Sequence, residues 1–210
     1  MINNEEMESM GTITVASSIT RKYQPDTVVF GIRISKVADT SKELAAYNKE
    51  VVDRLLGKIA ELEIDEDNFR EENFRIDVNR VYEDNKYVEK GYRLDSRYSI
   101  TFYIDYDLID SVRGMLSEED IAFNVEYKID DETAIREEML ADVIKESKRK
   151  ALIIAKAGDA ELKEILSVRY QSRAEAAVFM RAKAASDAMP EDIDITESAE
   201  VDWAINAREY

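Results

Sequence analysis

The chain has 210 residues, 45% of them hydrophobic, and sets 29 Lys and Arg against 46 Asp and Glu for a formal net charge of −17. It contains neither histidine nor cysteine, which excludes imidazole bases, triads built on imidazole, cysteine nucleophiles, disulfides and thiolate zinc sites. Length and apolar content suit a folded domain with a sizeable core, while the acidic surplus favours solubility and repels nucleic acid and anionic membranes.

Residues 1–10 are acidic and lack the positive start and apolar core of an export signal, so they read as a disordered lead-in. The expected location is therefore cytoplasmic, or periplasmic or cell-envelope had a leader been removed. Thr12-Ile13-Thr14-Val15 is β-prone, and after the turn at Pro25-Asp26 the alternation of Val28, Phe30, Ile32 and Ile34 predicts a half-buried strand over 27–35. Asp39-Thr40-Ser41 with Glu43 supplies helix-capping chemistry, and Leu44, Tyr47, Val51, Leu55, Ile59 and Leu62 recur at helical spacing, predicting a long helix over 41–62.

Phe74, Ile76 and Val78 lead a strand that runs to Tyr82, and residues 87–104 form another, joined by the polar Glu83-Asp84-Asn85-Lys86 as a long hairpin. Asp107 is a candidate cap for a short helix bearing Leu108, Val112 and Met115, and Ile121, Phe123, Val125 and Tyr127 alternate as a fifth strand. Asp130-Asp131 opens a second long helix whose stripe includes Ile135, Leu140, Val143, Ser147, Ala151, Ile154 and Ala155, with Gly158 placed to stop it. Strands follow over 162–170 and 197–205, separated by an Ala-rich excursion at 171–189 that ends at Pro190.

These elements predict an α+β fold: a mainly antiparallel sheet of hairpins with two long amphipathic helices on one face, β-β-α occurring twice, in a single domain over 11–205. No run approaches transmembrane length, so no membrane insertion is expected.

Candidate motifs weaken on inspection. Ser147-Lys148-Arg149-Lys150 fits S-x-x-K, but the companion S-D-N and K-T-G elements of penicillin-recognising enzymes are missing, and Ser147 lies on an apolar helix stripe as a small packing residue would. Asp65-Glu66-Asp67-Asn68 begins like a calcium loop, yet Phe69 and Arg70 stand where glycine belongs. Lys145, Lys148, Arg149, Lys150 and Lys156 form the one local basic cluster, with Glu146 four residues before Lys150. That pattern reads as a solvated helix face, or as a patch for an acidic neighbour. No phosphate-cradling glycine loop occurs, no pair of carboxylates is singled out by spacing, and no cofactor or metal site is predicted.

Eleven tyrosines are present, and Tyr82, Tyr87, Tyr92, Tyr98, Tyr103 and Tyr106 crowd the hairpin region. They pack across strands or form an interface, since tyrosine offers large contact area at low entropic cost. Of these, Tyr82, Tyr87, Tyr92, Tyr98 and Tyr103 are the candidate interface.

Several pieces then fall in one order: Ile13-Thr14-Val15, Pro25-Asp26-Thr27, the helix from Ala45 to Leu62, Ile64-Asp65-Glu66-Asp67, Gly91-Tyr92-Arg93, Lys150-Ala151 with Ile154-Ala155-Lys156-Ala157-Gly158, and an alternating strand after Pro190. In this the chain resembles the SIMPL-domain family, which includes bacterial periplasmic immunogenic and oxidative-stress-defence proteins. The resemblance implies an α+β fold and homo-oligomers, ring- or channel-like in at least one type, and it transfers no catalytic residue. The chain departs from it at Ala16-Ser17-Ser18, where relatives often carry glycines, at Ser147 in place of Ala, at Lys163 in place of Gly, and in the export signal.

Three functions compete on this reading. The leading one is a non-catalytic, self-assembling scaffold or stress-related interaction protein. The others are an acidic binding protein for a cationic or metal ligand and a carboxylate-based hydrolase.

Overall fold

A computed structural model of the chain describes residues 10–83, 85–170 and 190–207. The expected lead-in and the Ala-rich excursion at 171–189 lie outside the described residues, apart from Met10. The described chain contains seven strands and three α-helices: β1 (Met10–Tyr23), β2 (Thr27–Ala38), α1 (Ser41–Glu61), β3 (Phe69–Glu83), β4 (Lys86–Tyr103), α2 (Tyr106–Glu118), β5 (Ala122–Lys128), α3 (Glu132–Ala157), β6 (Ala160–Tyr170) and β7 (Ile193–Ala207).

The architecture is α+β and antiparallel throughout, but the strands divide between two sheets instead of sharing one. One sheet has the order β1-β7-β6 and the other β3-β4-β2-β5. Each long helix keeps its own sheet. Among the described residues the chain clusters into two compact units, one that is continuous over 24–130 and takes in residues 190 and 191, and a split one from residues 10–23, 131–170 and 192–207.

In the continuous unit, the alternation of β2 sends Val28, Phe30, Ile32 and Ile34 into a core with Leu94, Tyr98 and Ile100 of β4 and Val125 and Tyr127 of β5. Helix α1 closes this core with Leu44, Val51, Leu55 and Ile59, and α2 adds Ile109, Val112, Met115 and Leu116. Burying each such side chain contributes about 1.5–3 kcal/mol. The caps are local chemistry. Thr40 Oγ1 accepts from Glu43 N at 3.3 Å, as the capping pattern predicts. For α2 the cap is Asp105, not Asp107: its Oδ1 accepts from Asp107 N and Leu108 N, so Asp107 is a first-turn residue that complements the dipole.

In the split unit, β1 pairs with β7 from Met10↔Asn206 to Tyr23↔Ile193, and β7 pairs in turn with β6. Helix α3 begins at Asp131, whose side chain accepts from Ala134 N, and lays Met139, Val143, Ser147, Ala151 and Ala155 at uniform four-residue steps on the sheet. Ile154, expected on that stripe, is instead exposed, because the strict four-residue step rotates it off the buried line. The core there is Ile13 and Val15 of β1, Val201 and Trp203 of β7, and Ala151 and Ala155 of α3. Gly158 caps α3 at φ −95°, and the left-handed turn falls on Asp159 at φ 52°. Glu63 and Asp120 play the same part after α1 and α2, at φ 57° and 53°.

Candidate interaction surface

The β3–β4 hairpin outruns the sheet that carries it. Strand β2 pairs with β4 from Thr27↔Tyr103 to Ala38↔Tyr92, so residues 86–91 of β4 have only β3 beside them. The tip closes where Glu83 pairs with Lys86 and Asn85 turns at φ 63°, accepting a hydrogen bond from the Tyr82 hydroxyl at 3.2 Å. Ion pairs of Lys90 with Glu83 and of Arg80 with Glu89 lace the two strands.

Gly91 sets which face the tip presents. The register passes from Val78↔Tyr92 to Arg80↔Glu89, so β4 carries one residue more than β3 at this point, and Gly91 takes φ 73° there. A Cβ on Gly91 would lie 2.3 Å from the Ala38 carbonyl oxygen, so the end of β2 presses on the bulge and leaves no room for a side chain. The extra residue brings Glu89 and Tyr87 onto the face that Tyr92, Leu94 and Ser96 already occupy, which is the face α1 covers farther along the sheet.

The five candidate tyrosines therefore do not form one patch. Tyr82 and Tyr87 meet at the tip, ring centroids 5.1 Å apart in an edge-to-face arrangement, with Tyr87 73% exposed. Tyr92 is half-buried against the core. Tyr103 lies at the opposite end of β4, where its hydroxyl donates to Asp130 Oδ2 at 3.0 Å, and that carboxylate keeps the phenol protonated by raising its pKa. Tyr98 is only 2% exposed and is corrected from a surface residue to a core one. It stacks on Phe69 at 5.2 Å, and its hydroxyl accepts from Asn48 Nδ2 at 2.7 Å and donates to Glu71 Oε2 at 3.2 Å. Ser96 Oγ completes the network by donating to Asn48 Oδ1 at 2.6 Å. Burial holds the Tyr98 pKa above its ordinary value, with the Asn48 hydrogen bond opposing it.

What the hairpin does gather is a strip on the α1 side: Phe74 (43% exposed), Ile76, Val78 (40% exposed), Tyr92, Tyr82 and Tyr87. Phe74 and Val78 escaped the sequence reading as surface residues because their alternation is the same as that of buried strands. The signal that separates them is the charge on the alternate positions, Arg75 and Asp77, which ties them to an outer strand.

Two concave sites among the described residues are lined by paired charges. A cleft of about 400 Å³ in the continuous unit is lined by Arg33, Ser35, Tyr47, Arg54, Glu119 and Asp120 among others. Glu119 is held below the usual carboxylate range first by Lys58, at 3.0 Å, and also by Arg54, at 3.2 Å, so it stands there as an ion-pair partner and not as a proton donor near neutral pH. In the split unit a shallow hollow of about 500 Å³ lies among Ser18, Ile19, Asp142, Lys145, Glu146, Arg149 and Lys150. Its basic residues are three of the five singled out in the sequence, and they pair along α3: Lys145 with Asp142 at 2.9 Å, Arg149 with Glu146 at 2.7 Å, and Lys150 with Glu146 at 3.9 Å.

The remaining motifs resolve into structure. Ser147 is fully buried and its Oγ accepts from Trp203 Nε1 at 3.0 Å. Asp65 caps a single 3-10 turn over Glu66–Asn68 by accepting from Asp67 N. Glu197, 2% exposed, is matched by Arg136 at 2.5 Å and by the Tyr170 hydroxyl at 3.1 Å. Among the described residues no group of three or more acidic side chains could hold a metal ion, and no helix is long and apolar enough to cross a membrane.

Two antiparallel sheets, each backed by one long helix, and a β-β-α order that recurs define a protein of the α+β class whose prominent surface feature is a projecting hairpin. The family model of SIMPL, described as a protein of unknown function (DUF541), matches residues 13–205. The chain belongs to the SIMPL family. No curated protein matches it.

Proposed function

We propose that this chain is a self-assembling interaction protein that works as a scaffold, in a stress-related setting, and carries no catalytic centre of its own. The observation behind this reading is the projecting hairpin with its exposed Phe74, Val78, Tyr82 and Tyr87 on one face. Apolar and aromatic side chains gathered on a protruding edge lose free energy when covered, and aromatic residues are enriched where proteins meet. A strongly acidic surface with a formal net charge of −17 disfavours polyanions as partners, so the occupant of this face is a protein.

Multi-angle light scattering and sedimentation velocity over a wide concentration range test the proposal. An oligomer that dissociates on dilution, or persists as a defined ring or dimer, is the expected result. A monomer at every concentration would remove the self-assembly part, and substrate turnover by the purified chain would remove the non-catalytic part.

A further inference from the structure

Strand β3 is the last strand of its sheet, in the order β3-β4-β2-β5, and among the described residues no strand pairs with its outer edge. Such an edge presents a row of unpaired backbone donors and acceptors. Bulges fall between Glu71 and Asn73 and between Val78 and Arg80, and residues 73–78 pair with β4 without interruption between them. Natural edges are blunted by inward-pointing charge, proline or a break in pairing. This stretch has no proline, no break in pairing and no charge on the α1 side; its two charges, Arg75 and Asp77, are opposite in sign, and its alternate residues Phe74, Ile76 and Val78 are apolar.

The same stretch reads alike from both ends. Asn73-Phe74-Arg75-Ile76-Asp77-Val78-Asn79 places Asn against Asn, an apolar residue against an apolar residue, and a cation against an anion about Ile76 as centre. We infer that β3 pairs antiparallel with β3 of a second copy about a two-fold axis at Ile76, joining the two four-stranded sheets into one. The inference rests on the self-assembly reading above and specifies its contact.

Register follows from chemistry. With Ile76 opposite Ile76 of the other copy, Phe74 faces Val78 twice on the α1 side, extending the strip of exposed apolar side chains into one covered seam. On the other side Arg75 faces Asp77 twice. These two already pair within one chain, so the dimer assembles a four-charge cluster of net zero charge. Sliding one copy by two residues sets Arg75 against Arg75 in one direction and Asp77 against Asp77 in the other. A slip of one residue turns the apolar side chains to the wrong face. The segment carries no net charge within a chain of −17, so it is a place where two copies approach without the general repulsion.

The chain lacks cysteine, so a single introduced thiol reports the register without background. Ile76→Cys is expected to form a disulfide-linked dimer under mild oxidation, because residues directly opposite lie within disulfide reach. Phe74→Cys and Val78→Cys are each expected to stay unlinked alone and to link when mixed, which keeps the test independent of changing Ile76. Asp77→Arg is expected to weaken dimerisation about tenfold, since two cross-strand attractions become repulsions. The swap Arg75→Asp with Asp77→Arg restores it. Equal cross-linking at all three positions, or a swap that does not restore pairing, overturns the inference. Absence of Ile76→Cys cross-linking in a protein that scatters as an oligomer overturns this contact and leaves self-assembly standing. A monomer at every concentration overturns both.

Discussion

Replacing Ser147 by Ala removes one oxygen from the split unit and tests why a serine stands on an apolar helix stripe. Ser147 is fully buried, and its Oγ is the acceptor for Trp203 Nε1 at 3.0 Å. Alanine keeps the Cβ and adds no bulk, so the void is that of a hydroxyl. The cost comes from the indole N–H, left in the core without water or acceptor. A buried donor stripped of its partner costs about 1–3 kcal/mol. With a urea dependence of about 1–3 kcal/mol per molar, the unfolding midpoint falls by roughly 1 M. Far-UV circular dichroism follows the melt, and emission from Trp203, the one tryptophan in the chain, reports the site itself. A double-mutant cycle with Trp203→Phe isolates the pair: the double variant is expected to lose about 1 kcal/mol less than the two single losses together. Additive losses, or a Ser147→Ala midpoint equal to that of the parent, would refute the packing account and reopen the reading of Ser147 as a reactive hydroxyl in its S-x-x-K setting.

Three other outcomes follow from the geometry. Gly91→Ala places a Cβ 2.3 Å from the Ala38 carbonyl at a φ of 73°, so a loss of about 2 kcal/mol or more is expected in the urea midpoint, whereas Gly57→Ala, with open space around it, is expected to be neutral or stabilising. Arg136→Met leaves Glu197 buried without its cation and is expected to cost about 3–5 kcal/mol by chemical denaturation; Arg136→Met with Glu197→Met recovers most of it. The third concerns pH. Asp202 accepts from Ser167 at 2.5 Å and Thr14 at 2.7 Å and faces Arg169, which together lower its pKa in the folded state. The unfolded chain then binds the proton more readily. The stabilisation is thus complete above the unfolded carboxylate range and is lost as pH falls through the lowered folded value. Asp202→Asn should flatten the acid limb of a stability profile taken from about pH 6 to about pH 2, and an unchanged slope would contradict the assignment.

Much of the fold is legible because local patterns and tertiary burial agree. The alternation of Val28, Phe30, Ile32 and Ile34 and the helical spacing of Leu44, Val51, Leu55 and Ile59 each point to the face that is buried. Strand partnership is another matter. Nothing local in Ile13-Thr14-Val15 says that it pairs with residues 201–203, because pairing over such a separation is chosen by the whole fold, and this is why one predicted sheet becomes two. The tyrosine cluster fails for a similar reason. Counting aromatics cannot show that Gly91 adds a residue to β4 and so turns Tyr87 to the α1 side, nor that Tyr98 answers Asn48. A signal for the latter was present in α1: Asn48 interrupts the apolar stripe between Leu44 and Val51, and a polar residue at such a position needs a buried partner.

The pairing of β1 with β7 also orders events in time. The Thr20–Thr196 hydrogen bond spans 176 residues, so during synthesis β1 leaves the ribosome long before the strand that completes its sheet. At about 5–20 residues per second the wait is on the order of ten to thirty seconds. Residues 24–130 hold all the strands of their own sheet among the described residues and can close while the chain is still growing. The split unit is the last to form, it carries the higher cost of loop closure, and until β7 arrives β1 is a nascent strand that a chaperone or a neighbouring chain could capture.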